Sequence, residues 1–237
     1  MRLYLATVAA EEIRWADAAG LLDGVVATPA VLAAELPQAD PREVLSELAE
    51  RTSLPIFASV PSIDPAEIAR SGKALQRIAE HVIVAVPFIE DALPALHRLA
   101  SDGIHCAATL VHSVAQGVLA AKAGASHAVI AVDALEAIGQ PADPIVRGLR
   151  AALDRSGLEC DIVVAGPASA TRFGELAAAG ADALATRFGA RLPEGIAAEI
   201  LGRRLTPYTT PLNLAVLCRA MPDQAATRQT GLEVPTF

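Results

Sequence analysis

Eight short apolar runs recur along the chain, and helix-like segments separate them. The runs cover residues 3–7, 24–27, 55–60, 82–87, 104–111, 128–132, 162–165 and 183–186. Their apolar character is continuous instead of alternating, which is typical of parallel strands that are buried on both faces. The pattern therefore predicts an α/β fold made of eight βα repeats.

The predicted helices carry start and stop signals. Asp40 and Asp64 each precede a proline and stand three residues before a glutamate, and Ser113 stands three residues before Gln116. These are patterns of an N-cap residue, with proline favoured at the first helical position. A glycine that can adopt a left-handed C′ conformation precedes four of the runs, at Gly103, Gly124, Gly157 and Gly180.

The alternation of short strands and helices favours a closed (β/α)8 TIM barrel over an open sheet. No GxGxxG loop follows any of the runs, so a Rossmann fold has no support. The repeat ends near residue 203, and the segment that follows has Pro207, Pro211 and one apolar stretch at 212–217. We predict a barrel over 1–203 and an added C-terminal helix and tail over 204–237, serving as an oligomer contact or a lid.

The amino-acid composition and charge of the chain argue against several classes of function. Hydrophobic residues make up 53% of the chain, so one large core is expected. The net charge of −8 and the absence of a basic stripe argue against nucleic-acid binding. No apolar run reaches the length of a membrane span or a secretory signal, so a cytoplasmic location is expected, without membrane binding. Cys106, Cys160 and Cys218 show no CxxC spacing, which predicts reduced buried thiols and no metal site.

Several landmarks resemble one known family. They are Leu3-Tyr4-Leu5, the segment GVVATP at 24–29, Phe57-Ala58, Val86-Pro87 and above all TLVHSVAQG at 109–117. In this order they resemble the small transaldolases that include fructose-6-phosphate aldolase, from residue 1 to about residue 200. The resemblance implies a class I aldolase-type, transaldolase-like TIM barrel and, by analogy with family members, a homo-oligomer that is a pentamer or decamer.

The same resemblance implies that the family's chemistry has been removed. Family members act through a Schiff base on a strand-four lysine, and that position is Ala85 here. Other family groups are replaced as follows: the strand-one aspartate by Ala6, the asparagine of the TNP turn by Thr28, the strand-three glutamine by Ser59, the water-holding tyrosine by Ala131, and the phosphate-binding arginine and serine by Ala134 and Gly166. Thr109 remains. The two lysines, Lys73 and Lys122, fall in predicted helices outside the barrel.

Candidate site residues come from the carboxyl ends of the predicted strands, where TIM barrels place their catalytic groups. For catalysis they are His112, Asp133 and Thr109. For substrate binding they are Ala6, Thr28, Phe57, Ser59, Ala85, Ala131, Gly166 and Arg187. Each polar candidate also fits a structural role: His112 at a helix start, Asp133 as a turn cap, the threonines bonded to backbone, and Arg187 paired with Asp182 or Glu194. Phe57, Phe88 and Phe188 could instead close the mouth.

Three functions remain open at this point. The first is a repurposed enzyme of lyase, isomerase or cyclase type that needs no cofactor and acts on a small, less polar carbonyl-containing metabolite, not a sugar phosphate, in specialised metabolism. In this case His112 or Asp133 would move protons while Thr28 and Thr109 hold the carbonyl. The second is a catalytically inactive binding or scaffold protein. The third is residual aldolase activity through another amine.

Overall fold

Eight parallel strands close into a barrel in the computed structural model, which describes residues 1–166 and 170–186. The strands are β1 (Arg2–Leu5), β2 (Gly24–Ala27), β3 (Ile56–Ser59), β4 (Val82–Pro87), β5 (Cys106–Thr109), β6 (His127–Ala131), β7 (Asp161–Ala165) and β8 (Ala183–Thr186). Each strand pairs with its neighbour in chain order, and β8 pairs with β1. The prediction of a (β/α)8 TIM barrel is confirmed.

Helices connect the strands on the outside of the barrel. They are α1 (Ala10–Ala18), α2 (Pro29–Glu35), α3 (Pro41–Arg51), α4 (Pro65–Gln76), α5 (Leu93–Ser101), α6 (Val114–Lys122), α7 (Val132–Ala137), α8 (Asp143–Ser156) and α9 (Ala170–Ala178). Within the described residues, no helix is long and apolar enough to cross a membrane. The predicted C-terminal helix and tail over 204–237 lie outside the described residues.

The predicted strands are all present, several of them with ends shifted by one or two residues, and two of these shifts bear on the candidate site residues. β5 stops at Thr109, two residues before the end of the predicted run, because Leu110 adopts a left-handed backbone with φ of 61°. β6 stops at Ala131, so Asp133 does not end this strand but lies in the first turn of α7.

The helix caps follow the sequence signals with two local changes. The Asp64 carboxylate accepts a hydrogen bond from Glu67 N at 2.9 Å, whereas that of Asp40 accepts from Arg42 N at 2.7 Å and not from residue 43. The Ser113 hydroxyl accepts from Gln116 N at 3.2 Å. The predicted capping box is shifted by one residue, because the Gln116 side chain accepts from the N–H of His112, at 2.8 Å, instead of Ser113.

The four predicted stop glycines all have positive φ, at 80° for Gly103, 100° for Gly124, 62° for Gly157 and 105° for Gly180. Gly124 and Gly180 also have close neighbours, since a Cβ there would approach Ala100 Cβ at 2.7 Å and Arg150 Cγ at 2.9 Å. These helix ends therefore require glycine for the backbone conformation. At Gly124 and Gly180 the lack of space for a side chain requires it as well.

The register between strands is uneven around the barrel. β6 and β7 share five paired positions, and β1 and β8 share four. In contrast, β1 pairs with β2 only at Tyr4↔Gly24 and Leu5↔Val25, and β5 pairs with β6 only at Ala107↔His127 and Ala108↔Ala128. The barrel thus has two narrow seams on opposite sides.

Alternating strand residues build two separate apolar clusters. The larger one fills the layer between strands and helices, and includes Ile56, Val84 and Ile130. The smaller one fills the barrel interior and consists of Tyr4, Phe57, Ile83, Ala85, Ala107, Val163, Ala183 and Ala185. Below the carboxyl ends of the strands, the interior of this barrel is therefore a packed core, as in other TIM barrels.

Two of the three cysteines lie in the described part of the chain. Cys106 and Cys160 are buried free thiols, and burial raises the pKa of each to about 12. This confirms the expectation of reduced, buried thiols for these two residues, and their raised pKa makes them poor nucleophiles. Cys218 lies outside the described residues.

Candidate active site

Small side chains line the carboxyl end of the barrel interior. Ser59 and Ala85 are paired positions on β3 and β4, and Ala131 and Ala165 are paired positions on β6 and β7. Ser59, Ala131 and Ala165 are only half-buried, whereas Ala85 is 4% exposed. The strands thus bring three of the predicted binding residues to one end of the barrel, and none of them carries a charge.

The three candidate hydroxyl groups differ in their hydrogen bonds. Thr28 is the N-cap of α2, where its Oγ1 accepts from Val31 N at 3.3 Å. Thr109 Oγ1 donates to Val86 O at 3.3 Å. Among the described residues, the Ser59 hydroxyl has no hydrogen-bond partner. Thr28 can still donate its proton, Thr109 can still accept, and Ser59 can do both.

Asp133 and Gly166 lie against each other at the carboxyl ends of neighbouring strands. Gly166 directly follows β7 and has φ of 72°. A Cβ built on it would lie 2.7 Å from Asp133 Cγ. One oxygen of the Asp133 carboxylate accepts from Ala134 N at 2.9 Å, and the side chain is otherwise exposed. The carboxylate of Asp133 is therefore available to solvent at the rim between β6 and β7.

His112 lies in the turn between β5 and α6. The residue is half-buried, and its backbone N–H is held by Gln116. No imidazole hydrogen bond is present among the described residues. The ring therefore keeps both nitrogens available for proton transfer at the carboxyl face of the barrel.

Phe57, Ala6 and Phe88 lie in different layers of the barrel. Phe57 is buried two residues below Ser59 on β3, with its ring centroid 4.8 Å from that of Tyr4 and 5.0 Å from that of His127. Phe57 therefore forms part of the floor beneath the mouth and does not plug it. Ala6 is half-buried and packs against the larger, outer cluster. Phe88 packs against that cluster too, away from the barrel interior.

A group of ionic contacts near the mouth was not expected from the sequence. Arg172, in the first turn of α9, contacts three carboxylates: Glu136 at 2.6 Å, Asp143 at 2.7 Å, and Glu175. The hydrogen bond that Arg172 donates to Asp143, followed by the one it donates to Glu175, raises the pKa of the guanidinium, and Arg172 in turn lowers the pKa of Asp143. This cation follows β7 but is neutralised by its own neighbours. Arg187 and Phe188 lie outside the described residues.

Polar residues also occupy the opposite, amino end of the barrel. Arg2 Nη2 lies 2.6 Å from Asp161 Oδ2, which lies 3.5 Å from His127 Nε2. The other ring nitrogen of His127 is 2.9 Å from Ser126 Oγ. Burial lowers the pKa of His127 to about 4, although the charge of Asp161 acts in the opposite direction. At neutral pH this imidazole is therefore uncharged. The contacts of Arg2, Asp161 and His127 join β1, β7 and β6 at the floor of the barrel.

Both lysines lie on outer helices, as expected. Lys73 on α4 forms an ion pair with Asp102 at 2.7 Å, and Lys122 is exposed in the last turn of α6. Within 1–166 and 170–186, no group of three or more His, Cys, Asp or Glu side chains is arranged to hold a metal ion.

Comparisons with known proteins agree with the architecture. The family model described as Transaldolase/Fructose-6-phosphate aldolase matches residues 6–158, well over half of the chain. Probable transaldolase 2 of Listeria monocytogenes is 31% identical over 194 residues, covering 82% of this chain and 88% of the relative. A probable transaldolase of Clostridium perfringens is 34% identical over 165 residues, covering 70% of this chain and 76% of the relative.

A solved structure is similar at the level of the fold alone. FabK from Thermotoga maritima superposes with a TM-score of 0.52 at 15% sequence identity. The match covers 78% of this chain but only 57% of the FabK chain. Since the family model and both transaldolase relatives extend over most of the barrel, the chain belongs to the transaldolase/fructose-6-phosphate aldolase family.

Proposed function

We propose that this chain is a repurposed family member that works without a lysine imine and without a cofactor. It acts as a lyase, isomerase or cyclase on a carbonyl-containing metabolite that is less polar than a sugar phosphate. The observation that carries the proposal is the pairing of Ser59 with Ala85 in the barrel interior. These positions present one free hydroxyl and one methyl group, and no amine.

The charges of the described residues support a ligand without phosphate. Arg172 is the cation that follows β7, and three carboxylates already surround it. Asp133 adds a further negative charge at the same rim. A sugar phosphate would meet repulsion there instead of the paired cations and N–H groups that phosphate recognition uses.

The existing hydrogen bonds determine which role each polar residue can take. A ligand carbonyl needs a donor, and the proton of Thr109 is committed to Val86 O. Ser59 and Thr28 therefore hold the carbonyl, since neither hydroxyl donates its proton to another described residue. His112 and Asp133 remain for moving a proton at the carbon next to the carbonyl, which is the common step of enolisation-based lyases and isomerases.

Proton exchange tests this proposal without knowledge of the natural substrate. Cyclohexanone is incubated with the protein in D2O, and loss of its α-proton signal is followed by NMR. We expect exchange above the buffer rate, slowed about tenfold or more in His112→Ala or Asp133→Asn. The matched control His97→Ala, an exposed histidine on α5, leaves the rate unchanged. Exchange at the buffer rate together with no detectable binding of cyclohexanone contradicts the proposal.

A second candidate is a catalytically inactive binding or scaffold protein. It is favoured by the threonines, because Thr28 caps a helix and Thr109 bonds the backbone. In the same experiment, binding of cyclohexanone without exchange at any pH supports this second candidate over the first.

A further inference from the structure

A cavity of about 320 Å³ opens between α1, α2 and α3, on the outside of the barrel. Its apolar wall is formed by Val8, Ile13, Leu36, Val44 and Leu48. The volume lies at the lower end of the range for small-molecule sites, about 300–1,000 Å³. Leu36 is 41% exposed on this wall, so the cavity offers apolar surface that no described residue covers.

A carboxylate with one free oxygen lies in the same cavity. Glu35 Oε2 accepts hydrogen bonds from Thr7 Oγ1 and from Val8 N, both at 2.8 Å. Among the described residues, nothing donates to Oε1. Because Glu35 is half-buried, its second oxygen gains from a charged donor that reaches into the cavity.

A guanidinium without a carboxylate partner stands on the α1 side. Arg14 Nε donates to Ala10 O at 3.2 Å, and no described carboxylate lies within ion-pair distance of Arg14. The other arginine of the cavity, Arg51, is already paired with Glu47 at 3.3 Å. Within the described part of the chain, the terminal nitrogens of Arg14 therefore remain free to bind a carboxylate in the bidentate geometry that arginine favours.

The mixed charges of the lining select the class of ligand. A purely anionic ligand would face Asp17, Glu35 and Glu47, and a purely cationic one would face Arg14 and Arg51. A molecule with both charges next to an apolar body satisfies the free groups on both sides. We propose that this cavity binds a free apolar α-amino acid, with its ammonium on Glu35 and its carboxylate on Arg14. The side chain of the amino acid fills the space between Leu36, Val44 and Leu48.

Calorimetric titration with L-leucine and two half-ligands tests this site. Isoamylamine lacks the carboxylate of leucine, and 4-methylpentanoate lacks the amine. We expect L-leucine to bind about tenfold or more tightly than either half-ligand, since each lacks one ion pair. Arg14→Gln lowers the affinity for L-leucine to that for isoamylamine. The control Arg42→Gln, an exposed arginine of α3 outside the cavity, has no effect.

A variant that fills the cavity separates the loss of leucine binding from changes in the surrounding loop. Glu35→Gln would also disturb the loop after β1, so Val44→Phe is used to fill the cavity while the carboxylate stays in place. This variant abolishes leucine binding with a thermal unfolding temperature near that of the wild type. Absence of leucine binding to the wild type at millimolar concentrations, or an affinity equal to that of the wild type in Arg14→Gln or in Val44→Phe, overturns the inference. The outcome is independent of cyclohexanone exchange at the barrel mouth.

Discussion

The carboxylate of Asp133 fills the space that a side chain at Gly166 would need. A Cβ at residue 166 would come within 2.7 Å of Asp133 Cγ and within 2.9 Å of both carboxylate oxygens. Gly166 also has φ of 72°, a conformation that other residues seldom adopt. The absence of a side chain directly after β7 and the presence of an acid after β6 are thus two parts of one arrangement at the mouth.

We expect Gly166→Ala to destabilise the protein by about 2 kcal/mol, from left-handed strain plus the contact with Asp133. The control Gly20→Ala has φ of 66° but nothing within 4 Å of its Cβ, so it reports the strain alone. Urea unfolding of both variants measures the difference. Replacing Asp133 by Ala in the Gly166→Ala background recovers the steric part, and equal losses in the two glycine variants contradict the clash.

Ala85→Lys tests the chemistry of the barrel interior. Ala85 is 4% exposed beside Ser59, so a lysine there is largely desolvated and its pKa falls toward neutrality. We expect borohydride to trap a covalent adduct of this variant with dihydroxyacetone at neutral pH, detected by mass spectrometry. Ala134→Lys, at an exposed position, serves as the control and forms no adduct under the same conditions. Trapping in the wild type would show that an existing amine is reactive.

The buried His127 makes the free energy of unfolding depend on pH. Its pKa is lowered to about 4 by burial in the folded protein, whereas the unfolded chain has the usual value near 6.5. Below about pH 6.5 the unfolded state takes up a proton that the folded state does not bind. The unfolding free energy therefore falls as pH falls toward about 4, by at most about 1.4 kcal/mol per pH unit for this group.

Urea unfolding at a series of pH values measures this dependence. His127→Gln flattens the slope in that window, whereas His97→Gln, on the exposed face of α5, leaves it as in the wild type. An unchanged slope in His127→Gln would assign the acid sensitivity to other groups.

Leu110 is a leucine in a left-handed conformation, with φ of 61° and 48% of its surface exposed. Asparagine tolerates this backbone better, so Leu110→Asn stabilises the protein by about 0.5 kcal/mol. Leu119 is 51% exposed within α6, and Leu119→Asn has the opposite sign because asparagine is a weaker helix former. Thermal unfolding of the two variants gives the comparison. A loss of stability in both would show that burial of Leu110 outweighs its strain.

The sequence predicted the barrel because each strand is a continuous apolar run and each helix carries local signals. The Ser113 cap and the left-handed Gly157 depend on residues only a few positions apart. Asp133 was misplaced by the same local reasoning, since the helical start at Val132 is not marked by a cap. Local patterns thus predict elements well and their ends less well.

The site was less accessible to prediction because its contacts join distant parts of the chain. Arg172 binds Glu136 and Asp143, which are 36 and 29 residues away. The hydrogen bond of Thr109 to Val86 O spans 23 residues. Neither contact follows from a motif, yet the first neutralises a cation at the mouth and the second determines what a hydroxyl can do.

The uneven strand register has a consequence for how the barrel opens. The two seams with only two paired positions, β1–β2 and β5–β6, separate β2 to β5 from β6, β7, β8 and β1. Each group of four strands keeps its own, longer registers. Hydrogen bonds from Ser126 N to Cys106 O and from Val111 N to Val129 O extend the β5–β6 seam at both ends. Amide protons along the β1–β2 seam should therefore exchange first, and transient opening of the barrel should begin there, with the β5–β6 side as the hinge.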